Sequence, residues 1–576
     1  MKNRYIILFL VIIIYSFNSC SEYLDKPIGS DLTINEIFSS REKAISAISR
    51  AYNYGLLSLD PDRDDWFGIM SDMSGENNPV HHNWEIAYKI QRAGMLADSG
   101  DGRANCDDNY NHNYWSIRQS FLVMENIDMV EDMTEAEKQS VKGEMLALVA
   151  YRYVEMFKRY GGVPLVKKSL SITQDEVKIN RSSLKETLDF ILELCNEALP
   201  LLPDAQDAFS QGRATKGFAL AIKAEALIYA ARPLFNSSTP YLDFGEHNNL
   251  ICFGNTDPAL WQRAADASMA LIDWSLQNGH FIINTGKPLD DYGNAVATPG
   301  NKEVIIANRA LNPNVAEFYY QHSPRGRKNG MGFLQLQQYY KQDGTDQTWP
   351  AFKEVKPYSD YYTRIQDIEA RYKASVMGAG IDAWNNPNDE YWSSLVISSA
   401  EAWVTYAQLE ASGRPVKFYY HAGKRSWFDF PVYRLAEFYL NAAEAYNELG
   451  QPAKSHEYLN VIRKRAGLPN INEANQEALR KIIQREWAIE FYMEEHRLFD
   501  VKHWKLTDIG NGIIGGPKYS LWWFYKPGRS HGSIPEDYES YTVEKMYDGF
   551  WNASQYLNPF PLNEVTKGYL VQNPGY

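Results

Sequence analysis

Leu435, Phe438, Ala442, Ala445 and Leu449 recur at alternating steps of three and four, which places them on one face of a helix. Gly450 and Pro452 end that helix, because glycine suits a left-handed cap and proline cannot continue the hydrogen-bond ladder. A second periodic run, Ala453 to Ala466, follows at once and stops at Gly467 and Pro469. So short a turn predicts an antiparallel pair, with Ala442, Ala443 and Ala445 permitting close approach as in a tetratricopeptide-type hairpin. Further helices are predicted over Ile34–Tyr54, Tyr114–Val130, Glu137–Tyr160, from a Ser182 or Ser183 cap to Leu199, Lys216–Ala231 and Trp261–Leu276. A last one runs from about Gln476 to about Leu498. The expectation is a mostly α protein: a helical-repeat scaffold of about four pairs with a large irregular remainder.

That remainder falls in three stretches, Asp60 to about Asn113, Asn301–Arg414 and Lys505–Asn558. The first is too long for an ordinary connection and too aromatic for a disordered one, which points to function. In the second, Val304–Ala307 reads as a short buried strand. Beyond it come Tyr339, Tyr340, Trp349, Tyr358, Tyr361, Tyr362 and Trp384, with Arg325, Arg327 and Arg364; the third stretch holds Trp522, Trp523, Tyr525 and Trp551.

Composition sharpens the picture. The 576-residue chain has 15 Trp and 39 Tyr and a net charge of −14, from 58 basic and 72 acidic residues. That balance excludes a nucleic-acid or anionic-lipid surface as the main partner. Many of the rings must fill the core, yet those in Gly/Asn-rich loops suit a protein that stacks aromatics on flat apolar faces, such as sugars present. No Cys/His cluster has zinc spacing, and His81-His82 lacks spaced partners, so neither metal nor cofactor is expected. Glu486, Glu490 and Glu494 stand one helical turn apart and need cations, with Arg463 and Arg465 as candidates. A retaining-hydrolase pair of Glu486 and Glu490 is the alternative, but a structural ion-pair network is the better reading. Gly161-Gly162 lacks the Lys-Ser/Thr pair of a phosphate loop.

At the amino end, Lys2 and Arg4 precede an apolar run, Ile6–Ile14, and then Phe17-Asn18-Ser19-Cys20. This is the layout of a secretory signal over 1–19, too short for a membrane span. Phe-Asn-Ser-Cys resembles a bacterial lipobox, which would make Cys20 the lipidated first residue. If so, Cys106, Cys195 and Cys252 remain, an odd set and no disulfide framework.

Several blocks then resemble one family. They are Tyr433-Arg434-Leu435-Ala436-Glu437-Phe438-Tyr439-Leu440, Ala443-Glu444-Ala445-Tyr446 and Val461-Ile462-Arg463-Lys464-Arg465-Ala466-Gly467. Arg485-Glu486 through Glu490, Glu495-His496-Arg497 and Asp500 to Trp504 continue the pattern. So do Tyr151 to Val166, Gly212 to Asn236, and the closing Gln572-Asn573-Pro574-Gly575-Tyr576. Together they resemble the SusD/RagB family of surface nutrient-binding lipoproteins of the Bacteroidetes outer membrane. The resemblance implies an amino-terminal region over 20–235 and a carboxy-terminal one over 270–576, folded as one body. It also implies a non-catalytic protein that captures oligosaccharides for a SusC-like TonB-dependent transporter. A cell-surface glycoside hydrolase and a tetratricopeptide adaptor are the alternatives, although no nucleophile elbow, HExxH or Walker loop is present.

The family's ligand contacts define no motif, so candidates come from the residues themselves. Trp66, Trp84, Tyr339, Trp349 and Tyr361 are expected to stack on pyranose rings. Asp72, Asn77, Asn83, Arg103 and Arg364 are expected to bond their hydroxyls, an arginine also suiting a sugar carboxylate.

Overall fold

The computed structural model describes residues 33–56, 86–97, 110–170, 178–207, 210–310, 330–379, 412–415, 417–419, 428–506, 512–527 and 535–576. Helices come first: α1 Arg41–Gly55, α2 Tyr110–Asn126, α3 Glu135–Tyr160, α4 Leu184–Ala198, α5 Lys216–Ala231 and α6 Ala259–Gln277. Strand β1 (Val304–Ala310) follows, then β2 (Lys356–Pro357) and helices α7 (Tyr358–Gln366) and α8 (Ala370–Ser375). Strand β3 (Phe428–Arg434) runs directly into α9 (Leu435–Glu448), α10 (Pro452–Arg465), α11 (Gln476–Glu490) and α12 (Arg497–His503). The described chain closes with β4 (Gly516–Tyr525) and β5 (Tyr538–Gly549) ahead of a tail that holds two short helical turns, Ala553–Tyr556 and Leu562–Val565.

Local chemistry sets the helix starts. Thr134 and Ser183 each accept from the amide three residues on, while Glu137 and Glu186 reach back, forming complete capping boxes. Packing then proceeds in chain order: α1 on α2, α3 on α4, α5 on α6, and α9 on α10, with α6 against α9 joining the last pair to the others. This is the expected scaffold of successive helix pairs. Alanines make the approach close; Ala219, Ala221, Ala224, Ala226, Ala442, Ala443 and Ala445 are all buried. One apolar core collects residues from Phe38 to Leu570.

A second core lies beside it, built on tyrosine: Tyr292, Tyr339, Tyr340, Tyr358, Tyr361, Tyr538 and Tyr541 pack with Trp523, Leu336 and Ile489. It is roofed by an antiparallel sheet of order β2-β5-β4. The stretches read as irregular therefore contain regular structure. Val304 begins a strand as expected, and β1 pairs antiparallel with β3 from Ala310↔Phe428 to Val304↔Arg434. The expected long helix from Gln476 to Leu498 is broken. It ends at Glu490, and Met493 and Glu495 take left-handed φ values of 65° and 68° before α12 begins. That turn swings Glu494 back to Arg434, which donates from Nη2 at 2.8 Å.

The family-like blocks have structural explanations. Asn573, of the carboxy-terminal Gln-Asn-Pro-Gly-Tyr, is buried; its Nδ2 donates to Asn558 O at 2.8 Å and Tyr160 O at 3.2 Å, and its Oδ1 accepts from Arg181 at 2.7 Å. The tail is thereby tied to the end of α3. His503 is wedged between the rings of Tyr229 and Phe235, each with its centroid at 4.7 Å, and bonds Lys158 O at 2.9 Å. Burial pushes its pKa down to about 3, the carbonyl bond opposing. Between the ordinary 6.5 and that value the unfolded chain takes up a proton that the native protein refuses, so this contribution to stability falls as pH falls. The stability gap between the protein and a His503→Gln variant is expected to narrow by about 2 kcal/mol from pH 7 to pH 5, read by denaturant titration. A constant gap contradicts a neutral native imidazole.

Candidate ligand-binding surface

Glu486 and Glu490 are fully buried. Around them five carboxylates (Glu303, Glu369, Glu486, Glu490, Glu494) face five cations (Arg371, Arg434, Arg463, Arg465, Lys417), every side chain at most 3% exposed. Arg371 Nη1 donates to Glu486 at 2.8 Å and Arg434 Nη1 to Glu490 at 2.7 Å; Arg463 and Arg465 close on the same two groups. Burial alone would raise the Glu490 pKa, but Arg465 and Arg434 outweigh it and hold the group ionised, well below the carboxylate range. Lys417, burial acting against its Glu494 partner, is brought down to about 8. No sugar could enter between such groups, so the pair is structural. The expected partners Arg463 and Arg465 are present; Arg371, Arg434 and Lys417 arrive from sequence-distant elements that periodicity does not reveal.

Among the proposed ring-stacking residues, Tyr339 and Tyr361 are corrected. Both are 0% exposed, Tyr339 against Tyr372 at 5.2 Å and Tyr361 against Trp523 at 4.6 Å, so neither ring has a free face. They fill the tyrosine core, where the Tyr361 hydroxyl accepts from Ala379 N at 3.2 Å.

Trp349 and Arg364 do come together. The guanidinium carbon lies 5.9 Å from the Trp349 ring, and the half-buried indole has a buried Nε1 with no hydrogen-bond partner. Arg364 is not free for a sugar carboxylate, however. Its fork donates to Asp360 at 2.7 and 2.9 Å, and Tyr541 donates to the same carboxylate at 2.5 Å. The Asp360 bond keeps the guanidinium pKa raised against the opposing effect of burial. Arg364 therefore positions the wall that carries Trp349. Trp66, Asp72, Asn77, Asn83, Trp84, Arg103 and Cys20 lie outside the described residues.

Other rings are exposed on this flank. Phe352 is 50% exposed, Phe524 45%, Tyr362 41% and Trp522 37%, all on or beside the roofing sheet. For Trp522 and Phe524 the signal was present in Lys518-Tyr519-Ser520-Leu521-Trp522-Trp523-Phe524-Tyr525, a strand in which Trp523 points inward while those two point out. Among the described residues, no group of His, Cys, Asp and Glu could hold a metal ion, and no helix is long and apolar enough to cross a membrane.

A stack of helix pairs carrying a tyrosine-filled, sheet-roofed flank with rings at its surface defines a helical-repeat protein. A profile described as SusD family matches residues 306–576, and one described as starch-binding, associating with the outer membrane, matches residues 22–227. The chain belongs to the SusD family. SusD-like protein P25 of Formosa agariphila is 21% identical over 570 residues, covering 91% of this chain and 93% of that protein. Starch-binding protein SusD of Bacteroides thetaiotaomicron is 30% identical over 174 residues, 30% of this chain and 25% of that protein. A solved SusD-like protein of Bacteroides fragilis superposes with a TM-score of 0.71 at 23% identity, over 95% of this chain and all (100%) of that one. A solved SusD-like carbohydrate-binding protein of the same species gives 0.66 at 18% identity, over 93% and 99%. These likenesses establish the fold.

Proposed function

We propose that this protein is a non-catalytic glycan-binding lipoprotein of the outer-membrane surface. The observation that carries the reading is the pair of family matches, which in chain order take in the amino-terminal helices and the tyrosine-rich flank alike. A relative named as starch-binding supports carbohydrate as the ligand class. In this reading Cys20 bears the acyl chains, since more than one chain on a residue gives lasting membrane attachment. The captured oligosaccharide passes to a SusC-like TonB-dependent barrel. Trp66 and Trp84 stack on the sugar together with Trp349, while Asp72, Asn77, Asn83 and Arg103 bond its hydroxyls. Tyr339 and Tyr361 have no part in contact.

Burial of Glu486 and Glu490 among arginines supports a binder over a hydrolase that would use that pair. Native gels loaded with a panel of polysaccharides test the function. Retardation by at least one glycan is expected, and unaltered migration in every gel would leave the adaptor reading standing. Alanine at Trp84 or Trp349 is expected to abolish the retardation with little change in melting temperature. A large drop in melting temperature assigns the ring to packing instead.

A further inference from the structure

The sheet over the tyrosine core has two unlike faces. Strand pairing sets Lys356, Tyr541 and Trp523 in one row and Pro357, Ser540 and Phe524 in the next, with Thr542 opposite Trp522 beyond. Paired residues in antiparallel strands share a face, and alternate residues along a strand share one too. Tyr541 and Trp523 face the core, at 0% and 3% exposure. Pro357, Ser540, Phe524, Thr542 and Trp522 therefore face away from it. Trp522 and Phe524 are the exposed rings of that outer face, and Val355, just ahead of the edge strand β2, is 60% exposed.

A second observation is independent of the rings. Thr542 lies under this surface, 2% exposed, and its Oγ1 has no hydrogen-bond partner. A buried hydroxyl left unpaired costs free energy that a bonding partner would recover.

We infer that the outer face of β2-β5-β4 is a carbohydrate platform, taking an extended, neutral glycan chain laid along β4 across Trp522 and Phe524. The inference rests on the glycan-binding reading above and names a surface that reading does not use. The chemistry selects the occupant. Two rings at i and i+2 stand about 6.5–7 Å apart in a straight line, which suits consecutive rings of an outstretched chain better than a coiled one. Ser540 supplies a hydroxyl between the rows, and Thr542 is poised beneath them. No outward position among Pro357, Ser540, Thr542, Glu544, Trp522 and Phe524 is cationic, and Glu544 would repel a uronate. A second protein is the poorer match, because a stable protein interface draws on about 20–30 residues a side. This platform offers two exposed rings, a valine and a proline.

The test uses native gels of the full protein, with barley β-glucan and xyloglucan as extended neutral probes and amylopectin as a coiled one. The protein should be retarded by at least one extended probe. Trp522→Ala with Phe524→Ala should weaken that retardation about tenfold or more, since both exposed stacking faces are lost. Ser540→Lys keeps both rings and crowds the face between them; it should weaken binding similarly, which guards against a double variant that folds poorly. Thr542→Val, of nearly equal shape, should weaken binding several-fold. Retardation of the folded variants equal to the parent's overturns the platform and leaves the glycan-binding reading standing. Retardation of the parent by amylopectin alone also overturns it. No retardation by any glycan overturns both.

Discussion

Glu490→Gln is expected to destabilise the fold by about 3–5 kcal/mol, the cost of leaving buried charges without their counter-ion. Glu490 accepts from Arg434 at 2.7 Å and from Arg465, and Arg371 stands within 3.4 Å. The amide keeps the size of the carboxyl group but carries no charge, so a buried cluster in which five cations faced five carboxylates is left with one positive charge uncompensated. The network joins α11 to α10, β3 and α8, so the damage reaches several elements at once. Glu354→Gln is the control: Glu354 pairs with Lys356 at 2.6 Å, but both are substantially exposed, and such pairs contribute about 0–1 kcal/mol. Denaturant or thermal unfolding of the two variants side by side should show one large loss and one negligible change. Similar small losses would mean that water reaches the Glu490 site.

Gly162→Ala is the second large effect. A Cβ at Gly162 would sit 2.1 Å from Ser182 O and 2.9 Å from Ser183 C, both backbone atoms that cannot turn aside. The strand-like exit after α3 is pinned there. Gly162 N donates to Leu250 O at 2.8 Å, and Arg181 Nε donates to Gly162 O at 2.6 Å. Relief must come from moving the α4 entry, whose Ser183 cap begins at that point. A cost of about 3 kcal/mol is expected, the upper end for overpacking a closed site. A melting temperature within experimental error of the parent would show that the two segments separate freely. The same contact explains why a Gly-Gly pair follows Tyr160: it admits a neighbouring backbone, not a phosphate.

The helical pairs were legible in the sequence because each buries one face, and burial of one face writes a period of three to four residues into the chain. Caps such as Ser183 and stops such as Gly450 added boundaries. The break after Glu490 was not legible. Met493 and Glu495 in the left-handed region are not residues that announce it, and tertiary ion pairs to Arg434 and Lys417 fix the turn.

The ligand surface was harder to read for a related reason. Tyrosine serves equally as a core filler with a polar tip and as an exposed stacking ring, so Tyr339 and Tyr361 could not be told from Tyr362 by composition alone. Only the sheet roof decides which rings are covered. Trp522 and Trp523 are adjacent in the chain and have opposite fates, because successive strand residues point to opposite faces. Alternation there was the usable signal, hidden by a run in which nearly every residue is apolar or aromatic. Arg364 illustrates the same limit. Its type suits a carboxylate ligand, and its own helix supplies that carboxylate four residues earlier as Asp360.

Holding carbohydrate without cutting it is the proposition on which all else depends. Calorimetric titration of the chain lacking its first 20 residues with a gel-retarding glycan tests it most directly, if the glycan's length is measured before and after long incubation. Saturable heat with an unchanged chain length is the predicted result. Shortened chains, or no heat with any glycan offered, would contradict it.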